Sequence, residues 1–252
     1  MYESLPQREQ PRDDTLLWRY MDLAKFIAIV ETQSLFFPRV TTLQDRDPFE
    51  GHPPKSFVDW LKANPPSMVG QVDPNQRAKR TMADLANIRD ARKYICASCW
   101  HANVGESAAM WSLYSRSGDG GDGIALRVTF ADLRKGFAAT EQTVHGGMVR
   151  YVDFDTYAER FNLLSCASLK RKSFEHEREF RLLLIDNSTP ELGPGVPVSV
   201  DLAVLLGDVM GSPTMPEWLV DLVRRLLHRY AYKFSLSKST LLDGPSYYEL
   251  AD

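Results

Sequence analysis

Gly118-Asp119-Gly120-Gly121-Asp122-Gly123-Ile124-Ala125-Leu126-Arg127-Val128-Thr129-Phe130 is the stretch on which the fold turns. Its first six residues match the glycine fingerprint of dinucleotide-binding folds letter for letter, but that fingerprint needs a strand before it and a helix after it. Here the order is reversed. Glu106–Ser115 reads as a short helix ahead of the loop. Behind the loop, Ile124, Leu126, Val128 and Phe130 alternate with Ala125, Arg127 and Thr129, the period of a strand with one buried face. No helix N-terminus follows the loop to meet a pyrophosphate. The glycines therefore read as a flexible lead-in to a strand, and a doubly wound parallel sheet is disfavoured.

Upstream, Trp18-Arg19-Tyr20 reads as a strand and Asp22 as the cap of a helix. Leu23, Phe26, Ile27 and Val30 fall on one face of that helix, which ends near Thr32. Ser34-Leu35-Phe36-Phe37 forms a second strand, stopped by Pro38. Positions 52–93 are predicted to be an insertion within one catalytic-type domain spanning 17–252. Pro53-Pro54, Pro65-Pro66 and Asp73-Pro74 make its first part irregular, and Gln76–Lys93 its charged helix. Strands are predicted at Tyr94–Trp100, Met148–Val152, Glu177–Ile185, Val198–Val200 and Tyr232–Leu236, with helices at Asp155–Leu169 and from Pro216 or Glu217 to His228. Strands outnumber long helices and are joined by hairpins or short helices, which argues α+β.

The 252 residues are 44% apolar and 25% charged, an ordinary globular composition. A net charge of −3 gives no basic excess for a dedicated duplex-binding surface. Glu3, Arg8, Glu9, Arg12, Asp13 and Asp14 crowd the start without an apolar run, so 1–16 is expected to be a frayed, flexible terminus, not a signal peptide. No uncharged apolar stretch is long enough to span a membrane. The odd count of 3 cysteines fits the reducing cytoplasm.

Most motifs reduce to structure. In Cys96-Ala97-Ser98-Cys99 the two cysteines point to opposite faces of a strand and cannot share a metal, so both are expected to be buried small residues. The five histidines are scattered, and neither a zinc-protease helix nor a nucleophile elbow appears. Arg224, Arg225 and Arg229 beside His228 read as a solvated helix face. Met110 and Trp111 suit a core, while an open Trp111 or Tyr114 would stack on a planar ring. Asp47-Pro48 with Gly51 reads as a turn. More specific is Glu177-Arg178-Glu179-Phe180-Arg181. On a strand, Glu177, Glu179 and Arg181 share one face opposite Phe180, Leu182 and Leu184, with the two carboxylates about 7 Å apart. Such a pair suits chemistry through an oxocarbenium-like cation, one carboxylate stabilising charge and the other handling a proton. A surface ladder, with arginine pairing the acids, is the structural alternative.

Taken together, Leu17-Trp18-Arg19-Tyr20, Leu35-Phe36-Phe37-Pro38-Arg39, Asp47-Pro48-Phe49-Glu50-Gly51, Cys96-Ala97-Ser98-Cys99-Trp100, Met110-Trp111-x-x-Tyr114, Gly123-Ile124-Ala125-Leu126 and Phe174-x-x-Glu177-x-Glu179-Phe180-Arg181 resemble a bacterial family catalogued as a domain of unknown function. The resemblance runs from about Leu17 to Ser237. More distantly, the chain is similar to the ADP-ribosyltransferase superfamily. That similarity implies a mixed, mostly antiparallel split sheet with flanking helices and a cleft for NAD as co-substrate, without a metal. It also implies site residues: Arg19 on an NAD phosphate or ribose, with Tyr20 and Arg39 as further cofactor-binding candidates, and Trp111 and Tyr114 flanking the nicotinamide. Glu179, with Glu177 as the alternative, would be the catalytic carboxylate. The chain departs from the superfamily in lacking a Ser-Thr-Ser strand and in carrying its aromatic motif on a helix.

The expectation is a cytoplasmic NAD-dependent ADP-ribosyltransferase or NAD glycohydrolase, a bacterial toxin or anti-phage defence effector. It would pass ADP-ribose to a protein, a nucleic acid or water, and could have an antitoxin partner. Two other readings compete: a nuclease holding Mg²⁺ through Asp45, Asp47, Glu50, Glu177 and Glu179, and a non-catalytic nucleotide- or partner-binding module.

Overall fold

The computed structural model describes residues 1–64, 74–114, 121–159, 162–187, 193–230 and 233–245. In chain order its strands and α-helices are β1 (Tyr2–Ser4), β2 (Leu16–Asp22), α1 (Leu23–Thr32), β3 (Ser34–Pro38), α2 (Lys55–Ala63), α3 (Pro74–Ala91), β4 (Ile95–Ala102), α4 (Ala108–Tyr114), β5 (Gly123–Thr129) and α5 (Phe130–Gly136). These are followed by β6 (Val144–Met148), β7 (Arg150–Val152), α6 (Leu163–Cys166), β8 (Leu169–Arg171), β9 (Glu179–Ile185), β10 (Gly195–Ser199), α7 (Leu202–Leu205), β11 (Asp208–Gly211), α8 (Glu217–Arg229) and β12 (Ser235–Lys238). The architecture is α+β, with mixed, mostly antiparallel strands and flanking helices. Residues 118–120 of the glycine run, Ser115 and Tyr232 lie outside the described residues.

The chain divides into two compact units, each assembled from three segments. The first comprises Met1–Pro11, Leu35–Cys99 and Thr140–Val198. Its strands run in the order β1, β6, β9, β4, with β1 parallel to β6 and β6 antiparallel to β9. Two smaller ribbons, β3 with β10 and β7 with β8, complete it. β9 is an inner strand buried on both faces along Glu179–Leu184. Leu5, Val40, Ile95, Ala97, Ala167 and Leu183 form an apolar core here.

The start of the chain is tied into this unit. Tyr2–Ser4 is a paired strand, Leu5 is buried, and the buried Arg8 guanidinium donates to Ser168 Oγ at 2.6 Å and to the Ser165 carbonyl at 3.2 Å. Three residues of pairing and one apolar anchor fix the segment, although it has no apolar run.

The second unit comprises Arg12–Ser34, Trp100–Ala139 and Ser199–Asp252. β2 pairs antiparallel with β5 from Leu16 opposite Thr129 to Asp22 opposite Gly123. β11 lies on the far side of β5, antiparallel to it, and β12 is parallel to β11. Asp22 caps α1 by accepting from the Lys25 amide at 2.8 Å. The buried face of α1 is Phe26, Ile29 and Val30, with Ile27 exposed where the sequence predicted it inside. β5 is buried on both faces over Gly123–Leu126, with Arg127 and Thr129 half-buried, where the alternating pattern predicts one exposed face.

Two further elements differ from expectation. The helix predicted over Asp155–Leu169 shrinks to Leu163–Cys166 among the described residues. Asn162 and Ser165 cap that turn reciprocally, and Leu169 already enters β8. β9 begins at Glu179, because Arg178 takes a left-handed conformation at φ 40° that ends a 3-10 turn over Lys172–Glu177. Among the described residues no helix is long and apolar enough to cross a membrane.

Candidate active site

The left-handed Arg178 decides the geometry of the carboxylate pair. Glu177 ends a tight turn and Glu179 opens a strand, so the two do not share a strand face. They converge instead on one ammonium. Lys170 Nζ, on β8, pairs with Glu177 Oε2, reaches Glu179 Oε2 at 3.1 Å and lies 3.7 Å from Glu50 Oε1. Two residues along β9, Arg181 is fully buried and uses its whole donor set. Nε and Nη2 donate to Glu179 at 2.7 and 3.2 Å, Nη1 and Nη2 to Glu50 at 2.7 Å each, and Nη1 also to the Ala167 carbonyl at 2.7 Å. A buried charge persists only when paired and hydrogen-bonded this completely.

Glu50 reaches the cluster through the Asp47-Pro48-Phe49-Glu50-Gly51 turn. Asp47 Oδ1 accepts from the Phe49 amide at 3.1 Å and pairs with Arg171 at 2.7 Å. Gly51 sits at φ +70°, and a Cβ there would meet Val40 Cγ1 at 2.7 Å. The turn thus sends one acid to Arg171 and the other to Arg181. Tyr151, opposite Lys170 in the β7–β8 ribbon, accepts from the Glu179 amide at 2.7 Å through its hydroxyl. It also lines an open cleft of about 520 Å³ with Arg150, Thr156, Tyr157 and Lys172.

The two carboxyls are driven apart electrostatically. Burial works to raise the pKa of Glu179, but Arg181 and Lys170 outweigh it and hold that carboxyl well below the usual range. At Glu177 burial wins: despite Lys170, and helped by the charge on Glu179, its pKa is raised. Burial opposes the charge on Lys170, yet Glu179, Glu50 and Glu177 together keep it protonated. The Cys99 thiol, a hydrogen-bond partner of Glu179, is pushed up by burial and by that carboxylate. Neighbouring carboxyls with opposed protonation tendencies are the arrangement that acid–base chemistry uses. Glu177 is the more open of the two, its side chain 15% exposed against 5% for Glu179.

Arg39 is consumed in the first unit: it pairs with Asp186 at 2.6 Å and donates to the carbonyls of Lys93 and Gly193. Its guanidinium is 4% exposed, with these partners inside the unit. In the second unit Tyr20 and Trp111 are core residues, their rings in edge contact at 4.9 Å, with Trp18 stacked on Tyr20. Trp111 Nε1 donates to Glu106 at 2.8 Å, and the Tyr20 hydroxyl accepts from the Ser107 amide, its pKa pushed up to about 12, chiefly by burial. Neither ring is an open stacking surface. Arg19 lies 5.7 Å from the Trp100 ring centroid and is half-buried, and Tyr114 packs on the edge of the aromatic cluster. These two keep side-chain surface.

Of the acids named for the competing nuclease reading, Glu50, Glu177 and Glu179 converge, but on side-chain cations. Asp47 is held by Arg171, and Glu50, Glu177 and Glu179 by Lys170 and Arg181, so a cation would have to displace an existing one. Among the described residues no group of three acids, histidines or cysteines is placed to hold a metal ion. Cys96 and Cys99 do face different neighbours, Arg39 and Glu179, as strand geometry requires. Sequence reasoning missed Lys170 and Tyr151. The basic run Lys170-Arg171-Lys172 was the available signal, but nothing in its spacing tied it to the acids.

No family model matches the chain, and no curated protein sequence does. Among solved structures, Thermus sp. 2.9 DarT in complex with NAD+ aligns over 91% of this chain and 98% of its own, with 8% identity and a TM-score of 0.42. The same protein in complex with ADP-ribosylated ssDNA aligns over 92% and 96%, with 10% identity and a TM-score of 0.40. At these scores the likeness transfers no residue role.

Proposed function

We propose that the chain is an enzyme of the ADP-ribosyltransferase type that cleaves the N-glycosidic bond of NAD and passes ADP-ribose to water or to a macromolecular acceptor. One observation carries this: two adjacent carboxyls share Lys170 and lean in opposite protonation directions. NAD supplies the bond between nicotinamide and ribose. As it breaks, its electron pair leaves with nicotinamide and positive charge grows at the ribose. Glu179, held ionised by Arg181 and Lys170, contributes fixed negative charge. Glu177, the more open member, accepts the proton that the attacking hydroxyl releases on bonding to the ribose carbon. Tyr151 and Arg181 hold the backbone and side chain of Glu179 in place. A toxin or defence role, with an antitoxin partner, is the setting we propose for such an activity.

Nicotinamide release from NAD by purified protein, with and without lysate as acceptor, tests this reading. Wild type is expected to release nicotinamide and Glu177→Gln to lose that activity while remaining folded. An unchanged NAD pool under both conditions, or full activity in the variant, contradicts it. Whether Arg19 and Tyr114 contribute to NAD affinity is a separate question, answered by KM in Arg19→Ala and Tyr114→Ala.

A further inference from the structure

The outer face of α8 is unusual for a surface helix. Its inner face, Leu219, Val220, Val223 and Leu227, is buried, yet Trp218 is 66% and Leu222 46% exposed. Arg225 and Arg229 continue the same stripe, giving Trp218, Leu222, Arg225 and Arg229 the four-three-four spacing of a helix-pairing seam. Both arginines are exposed, and neither has an ion-pair partner among the described residues. One position ahead of Trp218 and of Leu222 stand Glu217 and Asp221. Their present partners, Lys238 at 3.3 Å and the i+3 neighbour Arg224, are exposed surface pairs of small worth that exchange cheaply.

We propose that α8 is a self-association surface whose partner is a second copy of this chain, with the two helices antiparallel. The order of charges along the helix is what favours this partner. Acids occupy its N-terminal half and free arginines its C-terminal half, so reversal sets each against its opposite. Trp218 then packs on the stem of the partner's Arg229, whose guanidinium meets Glu217. Leu222 packs on the stem of the partner's Arg225, whose guanidinium meets Asp221. The two-fold axis repeats both layers. Arginine stems cover apolar surface well, a guanidinium over an indole is attractive, and antiparallel helix dipoles oppose. A parallel copy would place arginine against arginine. One 13-residue helix per copy makes a small interface, so a reversible dimer is expected.

Sedimentation of the full chain over a range of concentrations tests this. Wild type is expected to show a monomer–dimer equilibrium that weakens at least tenfold in Trp218→Ser/Leu222→Ser. All the substituted positions are on the exposed face, and unchanged melting temperatures confirm folding. Arg225→Glu/Arg229→Glu and Glu217→Arg/Asp221→Arg should each be monomeric alone and pair when mixed. A wild type that stays monomeric at high micromolar concentration, a dimer indifferent to the Trp218/Leu222 change, or a mixture that does not pair overturns the proposal.

Discussion

Glu177 and Glu179 are separated by one residue, and that residue gives them different environments. With Arg178 left-handed, Glu179 drops between Arg181 and Lys170 while Glu177 stays at the rim. The consequences for stability have opposite signs. Glu179 has a depressed folded-state pKa, so it stabilises the fold above the ordinary glutamate pKa and that contribution is lost as pH falls through its folded value. Removing its charge leaves Arg181 with Glu50 alone and Lys170 with Glu177 and Glu50, so Glu179→Gln is expected to cost about 3 kcal/mol, read by denaturant unfolding. Glu177 has a raised pKa, so its ionised form is the strained one. Glu177→Gln should change stability by less than about 1 kcal/mol while removing turnover. The same shift sets the pH profile: kcat/KM of the wild type for NAD should rise through a midpoint above that of an ordinary glutamate. The chemical types at this site were legible from Glu-x-Glu-Phe-Arg alone. Their arrangement was not, because a single positive φ converts a strand face into two arms meeting on a lysine, and period-two spacing carries no sign of it.

At the scale of elements, the Asp47–Gly51 turn shows how a local motif gains its meaning from distant partners. Its residue types predicted a turn, and a turn forms. Only the fold discloses that Asp47 is there for Arg171 and Glu50 for Arg181. Gly51→Ala would place a Cβ 2.7 Å from Val40 Cγ1 at φ +70°. It is expected to lower stability by about 1–3 kcal/mol and to disturb the carboxylate pair with it, measured as paired losses in melting temperature and nicotinamide release. The helix Leu23–Thr32 was legible because its cap and its apolar stripe are local signals. The long helix expected over Asp155–Leu169 was not realised, because a reciprocal Asn162–Ser165 cap starts a new, short turn inside it. β5 and β9 were read as half-exposed, since alternation reports side-chain chemistry and not how many layers cover a strand.

At the scale of the molecule, the order of strands and short helices correctly indicated an α+β chain, but contiguity in sequence was a poor guide to contiguity in space. Each unit gathers three separate segments, and the first eleven residues belong to one of them. Deleting 1–11 removes β1, the Leu5 anchor and the Arg8 bonds to Ser165 and Ser168. It should lower the melting temperature by several degrees, where removal of a frayed tail would leave it unchanged. The arginine and aromatic candidates of the first hundred or so residues fared unevenly for a related reason. Arg39, Tyr20 and Trp111 have the right chemistry for a cofactor, but packing had already claimed them.

The central claim is that the carboxylate pair is split, one member fixed as an anion and the other able to take a proton. Carbon-13 titration of glutamate side-chain carboxyls, with Glu177→Gln to assign the signal, tests it most directly. The account predicts that the signal absent from the variant titrates above the ordinary glutamate midpoint and that Glu179 stays ionised until the protein acid-unfolds. Ordinary midpoints for both carboxyls, or a Glu177 signal displaced downward, would contradict it.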